Sequence, residues 1–160
     1  MSNFDFFVKC WEGEQAAFRK VLQAVPGERL DYRPHEKSTS AGALAWQLAE
    51  EQRGMVELLD RSETAYVARE HPDMKGILEA WDEATNDLRS RLGAKDESKW
   101  SQPAKFLVGE HVAWAGSQQE LMWGFLFDMV HHRGQLSTYL RPMGGKVPSI
   151  YGPSGDDTGE

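Results

Sequence analysis

The stretch from Ser117 to Met143 constrains this chain more than any other. It opens on Ser117-Gln118-Gln119-Glu120, a capping box in which the serine hydroxyl accepts from a first-turn amide and the glutamate reaches back to the cap. Only Gly124 and Gly134 weaken the run before Pro142 and Gly144-Gly145 end it. Its first half, with Leu121, Met122, Trp123, Phe125, Leu126, Phe127 and Met129, is apolar on nearly every side. A helix of that kind is central to a fold or lies at a subunit interface.

Three further segments have a helical repeat. Phe4, Phe7, Val8, Trp11, Phe18, Val21, Leu22 and Val25 recur at mostly three- and four-residue steps, which predicts a helix from about Asn3 to Ala24, closed by Pro26-Gly27. Leu44, Leu48, Met55, Leu58 and Leu59 mark a second, from about Ala41 to Leu59, capped from the Ser38-Thr39-Ser40 run. Met74, Ile77, Leu78, Trp81, Leu88 and Leu92 mark a third, from near Pro72-Asp73 to Gly93. Residues 26–39 and 60–72 read as loops. Within 94–116, Phe106-Leu107-Val108 is either a short strand or a plugged loop. The tail from Lys146 to Pro153 carries two prolines and is not helical, although Ile150 and Tyr151 predict that it packs back. Residues 154–160 read as frayed. The expectation is one all-α domain over 1–160, an up-and-down four-helix bundle with longer crossover loops. Six Trp, seven Phe and four Tyr supply an aromatic core.

Charge narrows the partners. The net charge is -7 and no stretch clusters Lys and Arg on one face, which argues against nucleic acid and against anionic membranes. The first residues lack the basic start and apolar core of a signal peptide, and no window spans a bilayer. The one cysteine, Cys10, sits beside Trp11 in a helical pattern and reads as a packed thiol. The expected compartment is the cytoplasm.

Polar residues interrupt two apolar stripes. At about 100° per residue, Leu121, Phe125, Asp128, His132, Gln135 and Tyr139 share one face of the last helix. On the second helix Leu44, Gln47, Glu51, Gly54 and Leu58 do the same. An unpaired buried polar group costs about 1–3 kcal/mol, so each of these residues needs a partner. An i, i+4 carboxylate and imidazole can converge on one cation, or simply pair with each other. His131 points away from the stripe.

The segment His131-His132-Arg133-Gly134-Gln135-Leu136-Ser137-Thr138-Tyr139-Leu140-Arg141 resembles the signature of the DinB/YfiT-like superfamily. The ending Val147-Pro148-Ser149-Ile150-Tyr151-Gly152-Pro153-Ser154 and the upstream Leu44-Ala45-Trp46-Gln47-Leu48-Ala49 are similar to the same family. The resemblance implies a four-helix bundle, commonly a homodimer, in which many members bind zinc or nickel through three histidines. One comes from the second helix and two from the last as His-x-x-x-His; some members are thiol-dependent transferases or isomerases. Carried onto this chain, the triad becomes Gln47, Asp128 and His132, and only His132 is retained. That set is harder than three histidines and shifts the expected metal among zinc, nickel and manganese toward manganese, or toward magnesium.

Two functions follow from the resemblance. One is a metal-dependent enzyme, a thiol-dependent transferase or a hydrolase, with a divalent site between the second and last helices and a low-molecular-weight thiol or other small molecule as ligand. The other is a metal-free bundle with a hydrogen-bonded Gln47–Asp128–His132 cluster, acting as a small-ligand-binding or stress-linked dimeric protein. Trp123 and Phe127, on the outer side of the last helix, motivate the dimer.

Overall fold

In the computed structural model the described residues are 1–94 and 96–159; residue 160 of the expected frayed tail lies outside them. Four α-helices among the described residues build the body: α1 (Asn3–Gln23), α2 (Ala41–Arg61), α3 (Met74–Gly93) and α4 (Gln118–Tyr139). Each starts where a side chain can satisfy a first-turn amide. Ser2 and Asp5 form a capping box on α1, Ser40 accepts from Ala43 N, Asp73 accepts from Gly76 N, and Ser117 and Glu120 form the box predicted for α4.

α2 packs on α3 and α4, and α1 packs on the same two helices from the other side. The chain therefore crosses the bundle between α1 and α2, and again between α3 and α4, which is why those connections are long. The core joins Phe7, Trp11 and Phe18 of α1 to Leu44, Leu48 and Met55 of α2, Ile77, Trp81 and Leu88 of α3, and Leu121, Met129 and Leu136 of α4. Among the described residues no helix is long and apolar enough to cross a membrane.

The structure corrects the loop expected over 60–72 and decides the choice left open within 94–116. Glu63–Tyr66 is a strand, β1, pairing in parallel with β2 (Pro103–Val108), which pairs antiparallel with β3 (His111–Ser117). Ser62 adopts the left-handed conformation, φ 57°, at the end of α2 and turns the chain straight into β1, while its carbonyl accepts from Lys105 N at 3.1 Å. The strand alternative for Phe106–Val108 is the one realised. The sheet leans on α2 and α4, with Phe106 set edge-on to Phe125 at a centroid distance of 5.5 Å.

The last residues are held. Arg133 is buried and pairs with Glu14, and its Nη2 donates to the Tyr151 hydroxyl at 2.6 Å; that hydroxyl donates to Glu14 at 2.8 Å. Asp156 accepts from Arg141 Nε and Val147 N, and Asp157 accepts from Ser149 N. Composition predicts fraying from 154 onward, yet 154–157 are tied to the bundle by these bonds.

Candidate metal centre

Helical spacing places Gln47 and Glu51 one turn apart on α2, and Asp128 and His132 one turn apart on α4. The packing of α2 against α4 brings the four side chains to one point. One ligand atom each from Glu51, Asp128 and His132 lies within 4.8 Å of the others, the kind of group that could hold a metal ion. His132 Nε2 is 3.4 Å from Asp128 Oδ2 and 3.7 Å from Glu51 Oε1.

Two amides orient the cluster. Gln47 Nε2 lies 2.7 Å from Glu51 Oε1 and 2.7 Å from His132 Nε2. A primary amide has two N–H groups, one for each of these acceptors. His132 Nδ1 is 2.8 Å from Gln135 Oε1, which places the ring proton on Nδ1 and turns the Nε2 lone pair into the cluster. A distal acceptor fixing the tautomer in this way is a usual companion of a metal-ligating imidazole.

The electrostatics are those of a site short of positive charge. Glu51 is 8% exposed, and burial, reinforced by the Asp128 carboxylate, pushes its carboxyl up to about 8 against the opposing hydrogen bond from Gln47. Its Oε2 is buried and makes no hydrogen bond. Asp128 is open to solvent, its side chain 56% exposed. Two carboxylates and an imidazole nitrogen are a fitting donor set for a first-row divalent cation, and the orphaned Glu51 oxygen is the atom such a cation would satisfy.

The three residues singled out from sequence do converge, but Gln47 presents its nitrogen to the cluster, and the oxygen donors are Glu51 and Asp128. Glu51 was visible in the same stripe as Gln47. Periodicity alone gave no ground for choosing between them. His131, expected to face elsewhere, lines the same cleft as Asp128.

That cleft has a volume of about 900 Å³ and runs between α2, α4 and the sheet. Its apolar walls include Trp46, Tyr66, Phe106, Trp114, Phe125 and Phe127. Trp114 lies on the backbone of Gly124: a Cβ there would fall 1.8 Å from the indole, so glycine is what lets β3 close against α4 one turn above Asp128. The sheet that the sequence hid thus supplies one side of the cleft.

The DinB family model matches residues 1–159. The chain is 25% identical to the uncharacterized protein YrdA of Bacillus subtilis (strain 168), over 97% of this chain and 92% of that one. Among solved structures, a DinB-like protein from Bacillus cereus ATCC 10987 superposes with a TM-score of 0.74 at 16% identity, covering 91% of this chain and 95% of the other. A DinB-like protein from Bacillus subtilis superposes at 0.69 and 15% identity, covering 88% and 92%. At these identities the structural likeness speaks for the fold.

Proposed function

The chain belongs to the DinB family, and on that premise we propose that Glu51, Asp128 and His132 hold a divalent cation which acts on a small molecule bound in the adjoining cleft. The observation that carries this reading is the convergence of one ligand atom each from Glu51, Asp128 and His132 within 4.8 Å of one another, on a Glu51 carboxyl whose other oxygen is buried without a hydrogen-bond partner. Oxygen-rich donors favour manganese over the softer preferences of a three-histidine site, with zinc and nickel as competitors. Such a cation supplies Lewis acidity for transferase or hydrolase chemistry with a thiol or water nucleophile.

The chain's own groups do the rest. Gln47 holds Glu51 in place and gives up its contact with His132 Nε2 when that lone pair goes to the cation, and Gln135 keeps the lone pair facing inward. The aromatic walls offer a bound molecule apolar surface beside Asp128.

A metal-free ligand-binding bundle is the second reading. It is favoured by Gln47, whose amide nitrogen already reaches both Glu51 and His132 and closes the cluster without a cation. Metal content separates the two. Tag-free protein dialysed against Mn2+, Ni2+ or Zn2+ and then against buffer retains about one equivalent by mass spectrometry if the first reading holds, and His132→Ala and Glu51→Gln lose it. Retention below a tenth of an equivalent with every ion leaves the second.

The proposal extends to a cytoplasmic homodimer. Phe127, 65% exposed, stacks on Trp123, which also meets Phe6, an apolar patch shared by α1 and α4. Sedimentation at micromolar concentration returns twice the chain mass if this patch pairs, and a monomer removes the dimer.

A further inference from the structure

The wall of the cleft opposite α4 holds an uneven set of charges. Glu50, the residue before Glu51 on α2, accepts from two guanidiniums at once: Arg53 Nη1, and Arg69 Nη1 at 3.1 Å. Arg53 lies against the indole of Trp46, 5.9 Å from the ring centroid. One carboxylate therefore faces two cations. Arg69 spends only Nη1 on it, and no protein acceptor meets its Nε or Nη2 among the described residues. Its side chain is 48% exposed and lines the cleft. The Nε–Nη2 edge of a guanidinium is a fork that matches a carboxylate with two parallel hydrogen bonds.

We propose that the cleft takes an apolar, preferably aryl-bearing, small-molecule carboxylate, its anionic end on the free edge of Arg69 and its ring against Trp46, Phe106, Trp114 and Phe125. This deepens the metal-site reading and rests on it for the chemistry at the other end of the molecule. The two ends lie close together. Glu50, which holds Arg69, directly precedes Glu51 on α2, and both line the cleft. A neutral apolar molecule would leave the Arg69 fork to water, and an ammonium would find no acceptor on it. The Arg69 end of the cleft thus favours an anion, while Glu51 and Asp128, which line the same cleft, are the carboxylates that the cation of the metal reading neutralises.

The test uses the full chain and three probes of one shape, 4-phenylbutyrate, 4-phenylbutanol and 4-phenylbutylamine, titrated calorimetrically into Mn2+-loaded and into chelator-treated protein. The carboxylate binds at least tenfold tighter than the alcohol in both preparations, and at least tenfold tighter than the amine in the Mn2+-loaded protein, where the cation neutralises Glu51 and Asp128. Arg69→Gln, a substitution at an exposed ion pair that leaves the fold intact, removes that margin while the alcohol's affinity stays within twofold. Glu50→Gln frees both guanidiniums and tightens the carboxylate severalfold, a gain that a purely structural ion pair would not give. Equal binding of the three probes overturns the proposal, as does a Glu50→Gln variant that binds the carboxylate no better. A preference that survives Arg69→Gln but vanishes on chelation also overturns it, because the carboxylate then sits on the cation. Failure of the metal reading registers separately, as absent metal, and leaves the probe comparison on metal-free protein intact.

Discussion

Glu51 and Gln52 are neighbours on α2, both buried, and they anchor two unlike polar clusters. Gln52 is 0% exposed and faces α1 and α3. Its oxygen accepts from Trp11 Nε1 at 3.2 Å, and its nitrogen donates to Gln15 Oε1 at 2.9 Å and Thr85 Oγ1 at 3.0 Å, while Gln15 Nε2 donates to the Trp11 carbonyl. That network is neutral and closed, and each of its side chains has a partner. Glu51 faces α4 and a cleft, carries a carboxyl pushed up to about 8, and keeps one oxygen without a partner. A satisfied polar cluster in a core specifies which helices pack together; a charged and under-satisfied one beside a cavity stores a demand that a ligand can meet. The difference separates two buried polar residues that no hydropathy pattern distinguishes.

The largest loss should come from opening the closed network. Gln52→Ala strands Trp11 Nε1 and removes the partners of Gln15 and Thr85 in the centre of the bundle. We expect a loss of about 3–5 kcal/mol in urea unfolding, from unsatisfied groups and the cavity together. Metal uptake by the surviving folded fraction should be unchanged. A loss under about 1 kcal/mol would mean that the network is not what holds α2 to α1 and α3.

Glu51→Gln should act in the opposite direction. The folded-state carboxyl lies above its ordinary value of 4.5, so the unfolded chain releases that proton first. The stability of metal-free protein therefore falls as pH rises from about 4.5 to about 8 and levels off beyond. Glutamine removes this dependence, making the variant more stable than the parent by about 5 kcal/mol at the top of that window and equal to it at the bottom. A cation competes with the same proton, so metal binding at neutral pH should release about one proton in the parent, read from calorimetry in buffers of different ionisation enthalpy. A stability difference between parent and variant that does not change with pH would mean that Glu51 is ordinary.

Much of this comparison could be read from the sequence, and what was hidden had a physical reason. The capping residues Ser117 and Glu120, and the helical step from Asp128 to His132, are local features, and α4 carries both as expected. The sheet is not local: Glu63–Tyr66 becomes a strand only by pairing with Lys105–Val108, some forty residues later, and Glu-Thr-Ala-Tyr by itself has too little pattern to announce it. The cleft, made partly by that sheet, was hidden with it. At the cluster, period placed Gln47 and Glu51 on one stripe, but which of them turns an oxygen inward is settled by side-chain packing against His132, and spacing carries no information about that. Gln52 lies one step off the stripe and its network spans three helices, so only the packed structure reveals it.

The smallest effect on stability, and the finest test of the contrast, is Asp128→Asn. Asp128 stands largely in solvent, so at about pH 5, where folded Glu51 is protonated with or without it, neutralising it should change unfolding free energy by less than about 0.5 kcal/mol. Its charge is nonetheless the second cause, after burial, of the upward push on Glu51. The pH at which stability levels off should therefore fall below about 8 in the variant while staying above 4.5, because burial remains when the charge is gone. The midpoint is read from unfolding curves across pH, with Glu51→Gln as the flat baseline. A midpoint that does not move would leave burial alone in control of Glu51. The two carboxylates would then be near each other without being coupled, and the argument that they share one cation would lose the electrostatic half of its support, keeping only the geometric half.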